Sequence, residues 1–214
     1  SNIDLQVLNL SPDLQLVDLY IDNAKKNSTS FSYPNSSGYF ALSSIDTPLQ
    51  IRTFTTNYSS TPNNNSNTNI ISLDTILKNN VNYSLFIIGL RASNSISYIL
   101  TRDTSAIPTA GRAKIRFINA SPGSPLLSIT ANGTSAFNSQ PYKSVSKYVE
   151  MPAGNYDFKA TPTGLSTTIL SDLPAVTVQD GKIYTLYCRG IVGRIDTAAF
   201  GLAIFNNRNT TSSQ

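Results

Sequence analysis

The sequence predicts an all-β protein made of two tandem immunoglobulin-like β-sandwich domains. Three observations lead to this fold class: the chain repeats itself, its apolar residues alternate with polar ones, and turn residues separate the alternating segments. The motif LQVLNLSP begins at Leu5, and the similar motif IRFINASP begins at Ile115. Self-similarity at a fixed distance is the mark of repeated structural units. Two copies of about one hundred residues fit ordinary domain size, so we expect one domain over 1–104 and a second over 105–214.

A second pair of matching segments extends the repeat towards the end of each copy. YSLFIIGL begins at Tyr83 and YTLYCRGI begins at Tyr184, so the offset between the copies falls from 110 to 101 residues. The first copy therefore carries about nine extra residues. We place them in the polar, low-complexity segment NYSSTPNNNSNTN at 57–69, which is predicted to be a loop. This loop is either a solvated insertion or a contact loop, since loops on sandwiches often carry binding residues.

The individual strands are predicted from alternation with a period of two. Residues 17–21 alternate before the turn pair Asp22-Asn23, and residues 127–131 alternate before Asn132-Gly133. An Asn-Gly pair after an alternating run is a strong hairpin signal. The same reading gives further strands at 156–160, 175–178 and 183–189. Short strands at this spacing are typical of β-sandwiches.

Two local features complete the predicted architecture. Tyr83 and Tyr184 each follow a turn pair just inside a strand, as in the tyrosine corner, where the phenol bonds back to the upstream backbone. Residues 72–77 place apolar side chains at helical spacing, which predicts one turn of helix at most. The segment TSAIPTAG at 104–111 is short and contains Pro108, and we expect it to link the two domains closely.

Composition limits the classes of function. The chain of 214 residues is 40% hydrophobic and only 13% charged, and it contains no histidine. A Ser-His-Asp triad and a His-ligated zinc site are therefore excluded. Cys188 is the only cysteine, so no disulfide forms within the chain, and we expect it to be a small buried hydrophobe. We predict no catalytic, cofactor or metal site, and a hydrolase that works through Asp pairs is the least favoured alternative.

The positive net charge of +4 does not predict a nucleic-acid interface, because the basic residues are scattered. The densest group is Arg112, Lys114 and Arg116, which alternate at the start of the second copy. We interpret them as a solvated strand face.

An Asn-x-Ser-Pro motif recurs at the end of the first strand of each copy. Asparagine and serine side chains cap turns, and proline stops the hydrogen-bond ladder. We therefore predict a structural role for Asn9, Ser11 and Pro12 in the first copy and for Asn119, Ser121 and Pro122 in the second.

Ligand contacts are predicted at Asp22, Tyr33 and Tyr142. Each tyrosine lies beside a proline, and an aromatic ring flanked by amides and hydroxyls can stack on a sugar; packing within the protein is the alternative role. Asp22 belongs to an acidic region with Asp13, Asp18 and Asn23, and such oxygen groups could gather calcium. Since none of the equivalent residues of the second copy is acidic, we expect a polar strand face and a turn there instead.

The second copy resembles a known bacterial family of uncharacterised domains in exported and surface lipoproteins. The resemblance is carried by RFINASP at 116–122, KYVEMPAGNYDFKA at 147–160 and DGKIYTL at 180–186. The first copy keeps Asn-x-Ser-Pro and the late tyrosine strand, but it has SIDTP at 44–48 where the family has Pro-Ala-Gly. The resemblance implies tandem immunoglobulin-like sandwiches on a cell envelope and implies no enzymatic activity.

The sequence as a whole favours a non-catalytic adhesion or binding module that is exported to the periplasm, the outer membrane or the cell surface. Its partner is expected to be a cell-surface protein or a glycan, without a cofactor, and a lipid anchor ahead of Ser1 is compatible with the sequence. The alternative is a carbohydrate-binding accessory protein. Tyrosine clustered with Asp or Asn on one surface would favour a glycan, whereas an apolar patch at a strand edge would favour a protein partner.

Overall fold

The computed structural model describes residues 3–43, 46–56 and 65–207, and side chains are described in these ranges except at 54–56 and 65–67. Within these ranges the chain forms sixteen strands and no helix. The predicted fold class, two tandem β-sandwich units in an all-β chain, is therefore confirmed. Residues 72–77, where one turn of helix at most is predicted, form none, because Ser72 and Leu73 end a strand and the residues after them are irregular.

The first unit spans Ser1–Arg102. Its strands form two four-stranded sheets in the orders β4-β1-β7-β8 and β3-β2-β5-β6. The strands are β1 (Ile3–Asn9), β2 (Val17–Ile21), β3 (Ala24–Lys25), β4 (Phe40–Leu42), β5 (Leu49–Thr56), β6 (Asn65–Leu73), β7 (Asn82–Ile88) and β8 (Ser97–Arg102).

The core of the first unit follows from the alternation in its strands. Successive side chains of a strand point to opposite faces of the sheet. Leu19 of β2 and Ile51 of β5 are fully buried in one apolar cluster with Leu5 and Leu85 of the other sheet. The intervening residues Asp18 and Tyr20 of β2, and Gln50 and Arg52 of β5, carry polar groups and lie on the outer face of their sheet.

The second unit spans Asp103–Gln214 and repeats the same plan. Its sheets have the orders β12-β9-β15-β16 and β11-β10-β13-β14, which match the first unit strand for strand. The strands are β9 (Arg112–Asn119), β10 (Leu127–Ala131), β11 (Thr134–Gln140), β12 (Val149–Pro152), β13 (Gly154–Pro162), β14 (Ser171–Val178), β15 (Ile183–Arg189) and β16 (Gly201–Asn206).

In each unit, strand pairing joins the two segments that are repeated in the sequence, one at an offset of 110 residues and the other at 101. In the first unit β1 and β7 are parallel, with Leu5 opposite Tyr83. In the second unit β9 and β15 are parallel, with Ile115 opposite Tyr184. The matched sequence segments are therefore also neighbours in space, in the centre of one sheet of each unit.

The extra residues of the first copy lengthen a hairpin. The arms of β5 and β6 pair from Arg52 opposite Asn69 to Thr56 opposite Asn65. The prediction of a loop over 57–69 is thus wrong for residues 65–69, which belong to β6, while residues 57–64 lie outside the described ranges. Ladder hydrogen bonds join backbone groups, so a polar low-complexity sequence can extend a hairpin without an apolar face.

Candidate functional site

The two Asn-x-Ser-Pro motifs form matching buried turns. The amide of Asn9 donates to the carbonyl of Leu14 at 2.8 Å and accepts the backbone N–H of Ser11 at 3.2 Å. Asn119 is fully buried and accepts the N–H of Ser121 at 3.0 Å. The Ser121 hydroxyl donates to the Gly190 carbonyl at 2.6 Å. These bonds satisfy backbone groups where β1 and β9 end, and they leave no amide group directed to a ligand.

The two tyrosines that follow turn pairs are anchored in the same way in both units. The Tyr83 hydroxyl accepts the backbone N–H of Lys78, and the Tyr184 hydroxyl accepts that of Gln179, each at 3.0 Å. In each bond the tyrosine lies five positions after the residue whose N–H it accepts. Both tyrosines therefore fix the loop that precedes their strand.

The interpretation of the basic residues at the start of the second unit as a solvated strand face is wrong for Arg116, whereas Arg112 and Lys114 are partly exposed. Arg116 is 3% exposed, pairs with buried Asp103 and donates to Thr185 at 3.0 Å. Lys114 donates to the Ala106 carbonyl at 2.7 Å. The missed signal is the acidic residue ahead of the strand, since a buried guanidinium needs a carboxylate partner.

Tyr148 and Asn207 complete this buried network. The amide of Asn207 donates to the Tyr148 hydroxyl at 2.8 Å and to the Asp103 carbonyl at 3.1 Å. Burial raises the pKa of Tyr148 to about 12, with Arg116 acting in the opposite direction. Burial likewise raises the pKa of the Cys188 thiol to about 12, and that thiol donates to Asn119 at 3.1 Å. These groups hold the second unit together.

Asp22 and Tyr33, two residues predicted as ligand contacts, do not come together in the first unit. Asp22 follows the last residue of β2, whereas Tyr33 lies two residues after Phe31, which pairs with Val17 at the first residue of β2. A strand of five residues is roughly 13 Å long, so these two sites are at opposite ends of it. Tyr142 is half-buried in the second unit, and burial raises its pKa.

The acidic region of the first unit is not arranged as a calcium site. Asp13 accepts the N–H groups of Arg91 and Ala92 at 2.7 and 2.8 Å. Asp18 is buried on the outer sheet face and accepts hydrogen bonds from Asn27 and Ser30. Over the described ranges, no group of three or more metal-ligating side chains is placed to hold an ion.

The surface that does bring polar and aromatic side chains together is the outer face of the β3-β2-β5-β6 sheet. Strand pairing aligns its side chains in two rows across the sheet. The first row is Lys25, Tyr20, Gln50 and Ser72, and the second row is Asp18, Arg52 and Asn69. We call these seven residues the Arg52 face.

The centre of this face is the Arg52 guanidinium, which is held by amide oxygens and an aromatic ring. It donates to Gln50 Oε1 at 2.7 Å through Nη2 and to Asn69 Oδ1 at 3.3 Å through Nε. It also donates to Asn23 Oδ1 at 2.9 Å. Its carbon Cζ lies 4.1 Å from the centre of the Tyr20 ring, within the range of a cation–π interaction.

Asp18 is the only carboxylate of the Arg52 face, and it accepts its hydrogen bonds from residues other than Arg52. It is 1% exposed, and Lys25 Nζ lies 3.8 Å from its Oδ1 atom. Asp18 stands directly opposite Arg52 in the strand ladder, yet it accepts its short bonds from Asn27 and Ser30. Lys25 offsets the charge of Asp18, so the remaining positive charge of this face belongs to Arg52.

The second unit has no counterpart of this arrangement. The positions equivalent to Asp18, Tyr20 and Arg52 are Ser128, Thr130 and Thr161, as the pairing of β10 with β13 shows. The Arg52 face is thus a property of the first copy alone.

Each unit also has a groove at the open side between its edge strands. The groove of the second unit has a volume of about 410 Å³ and is mainly apolar, with Met151 and Tyr156 in its lining. Glu150 at its edge accepts the Thr109 N–H at 3.0 Å, and this bond lowers the pKa of its carboxyl group. The groove of the first unit, about 340 Å³, is lined by Lys26, Asn27, Ser28, Thr29, Phe31, Ser37 and Phe40.

Comparison with known proteins defines the family. The profile of the domain of unknown function DUF4397 matches twice, over residues 3–130 and 113–214, so the chain belongs to this family and carries two tandem copies of its domain. No curated protein matches the chain. A similar solved structure is that of a candidate cell adhesion protein from Bacteroides uniformis ATCC 8492. It has 10% sequence identity and a TM-score of 0.24, and the match covers 99% of this chain and 98% of that one. A likeness of this size defines neither the fold nor the function.

No helix among the described residues is long and apolar enough to cross a membrane.

Proposed function

We propose that this protein is a non-catalytic binding module of the cell surface and that the Arg52 face contacts its ligand. The observation that carries the proposal is the convergence of Tyr20, Arg52, Gln50 and Asn69 on one side of a rigid sheet. Side chains on paired strands are held more firmly than those on loops, which favours specific binding.

Three groups that could otherwise perform chemistry serve the fold, which supports a non-catalytic role. The Cys188 thiol is buried and bonded to Asn119. Asp103 pairs with Arg116 inside the second unit. Glu150 is occupied by Thr109 and Arg112.

The location is proposed from the resemblance of the second copy to exported and surface domains. The low charge and the many Asn, Ser and Thr residues suit an extended contact surface outside the cell. We expect the protein to be exported and held at the envelope, where a lipid anchor would be compatible with this role. Its partner is a cell-surface protein or a glycan.

Of these two partner classes, the Arg52 face favours a glycan. Exposed amides and hydroxyls at Asn69 and Ser72, and at Asn23 beside the face, offer donors and acceptors that match sugar hydroxyls. The same residues surround an aromatic ring, Tyr20. Arg52 covers one face of this ring, and its other face can contact the apolar side of a sugar. This combination is the pattern that distinguishes a glycan-binding surface from an apolar protein-docking patch.

A polysaccharide-binding screen with the intact protein tests the proposal. We expect binding to at least one surface polysaccharide and a loss of about tenfold in affinity on Tyr20→Ala, in line with the loss of one stacking contact. The matched control is Tyr98→Ala, which removes an exposed tyrosine from β8 of the same unit. Equal effects of both variants would overturn the Arg52 face as the site, and a wholly negative screen would overturn the glycan.

A further inference from the structure

We infer that the Arg52 face recognises a carboxylate-bearing sugar, so that the ligand is an acidic, uronate-containing polysaccharide. This inference rests on the proposed glycan-binding function and adds the charge of the ligand to it.

Arg52 carries a positive charge that no ion pair with the described part of the protein compensates. In the part of the chain that the structure describes, its guanidinium forms no ion pair, whereas Arg112, Arg116 and Arg194 each pair with a carboxylate. All hydrogen-bond partners of Arg52 are neutral amide oxygens. The residues outside the described ranges contain no Asp or Glu. A neutral amide oxygen orients a guanidinium without cancelling its charge, so a full positive charge is available to a ligand.

The Arg52 guanidinium is also held in place before a ligand binds. Its bonds use Nε and Nη2, which leaves the Nη1 group without a protein acceptor among the described residues. The Tyr20 ring below it, at 4.1 Å, restricts the plane of the group. A planar arginine that is already oriented loses less freedom on binding a carboxylate than a flexible lysine does.

Polar side chains surround the charge of Arg52 and suit the rest of a sugar. A carboxylate on a sugar ring would reach Arg52 while its ring hydroxyls meet the exposed amides of Asn23 and Asn69. The two rows lie across four strands that are spaced about 4.8 Å apart, so the face can contact more than one sugar of a chain. The buried carboxylate of Asp18 does not oppose this binding, since Lys25 lies beside it.

The experiment compares acidic polysaccharides with their neutralised forms by titration calorimetry. The probes are polygalacturonate, alginate and hyaluronan, each beside its methyl-esterified form, which keeps the backbone and removes the charge. We expect at least one acidic form to bind about tenfold more tightly than its ester, because a charge-assisted hydrogen bond is stronger than a neutral one.

Variants assign this preference to Arg52. Arg52→Gln should reduce the acid-to-ester ratio to about one, and Arg52→Lys should retain part of it. Lys26→Gln removes the same charge from an exposed position outside the face and should leave the ratio unchanged. Thermal unfolding of each variant confirms that it is folded.

The outcomes separate this inference from the function on which it rests. Equal binding of acid and ester forms, or an equal loss in Lys26→Gln and Arg52→Gln, would overturn the inference while glycan binding stands. If none of the three acidic polymers binds, the inference is also overturned, and the wider polysaccharide screen decides whether the proposed function survives.

Discussion

At the scale of single residues, the buried asparagines explain why the Asn-x-Ser-Pro motif is present in both copies. Each side chain replaces a missing backbone partner where a strand ends and the chain turns. Buried polar groups are costly when they are left without a partner. The motif is therefore a stabilising device, and its repetition reflects the repeated fold.

Replacement of Asn119 by alanine should destabilise the second unit. The amide of Asn119 bonds the Ser121 N–H, the Gln140 carbonyl and the Cys188 thiol, all in its buried surroundings. Their loss should cost about 2–3 kcal/mol, to be measured by urea unfolding. The control is Asn206→Ala, at an exposed position of β16, which should change stability by less than about 0.5 kcal/mol. Similar losses in both variants would contradict the structural role of the motif.

Only part of the Arg52 face could be predicted from the sequence. The alternation of 17–21 predicts that Asp18 and Tyr20 share a face, because period two depends only on the local chain. The approach of Arg52 and Asn69 to that face depends on pairing between three strands and on a bulge between Ile51 and Arg52. Such register is a tertiary property. The alternation of residues 49–53 indicates a strand, but it does not indicate which strands lie beside it.

At the scale of elements, the tyrosine corner joins a loop to a central strand in each unit. The strand that follows, β7 or β15, lies in the middle of its sheet and pairs with two neighbours. The phenol bond therefore fixes the entry of the chain into the part of the sheet with the most pairing. This arrangement could be predicted, since its residues lie within five positions of one another.

Removal of the Tyr184 hydroxyl should weaken the second unit without loss of its core packing. Tyr184→Phe keeps the buried ring and leaves the Gln179 N–H without its acceptor. We expect a loss of about 1 kcal/mol in the free energy of unfolding. Tyr98→Phe, at an exposed tyrosine of β8, serves as the comparison and should have little effect. A null result for Tyr184→Phe would show that the ring alone fixes the loop.

At the scale of the whole molecule, duplication has preserved the fold and changed the surfaces. Both units keep the same strand order, the same tyrosine bond and the same asparagine turn. They differ on the outer face of one sheet, where Arg52 and Tyr20 correspond to Thr161 and Thr130. Repetition in the sequence was sufficient to predict what is shared. The differences had to be read from the structure, because an isolated residue that differs between copies gives no sign of its neighbours.

The stability of the whole protein should be nearly constant from about pH 6 to pH 8 and should fall above about pH 9. The chain contains no histidine, so no side chain of ordinary pKa titrates near neutrality. Tyr148 and Cys188 have pKa values raised to about 12 in the folded protein. Between their unfolded values and pH 12, the unfolded chain binds fewer protons than the folded one, so stability is lost as pH rises.

Urea midpoints at pH 7, 8.5 and 10.5 measure this dependence, and Tyr148→Phe separates the contribution of the buried phenol. The variant loses the bond from Asn207 and should be less stable at pH 7. It should also lose less stability between pH 8.5 and 10.5 than the natural chain does, because one proton no longer distinguishes the folded from the unfolded state. An unchanged slope would show that Tyr148 ionises as readily in the folded protein as in the unfolded chain. Burial of the Tyr148 hydroxyl would then not raise its pKa in the folded protein.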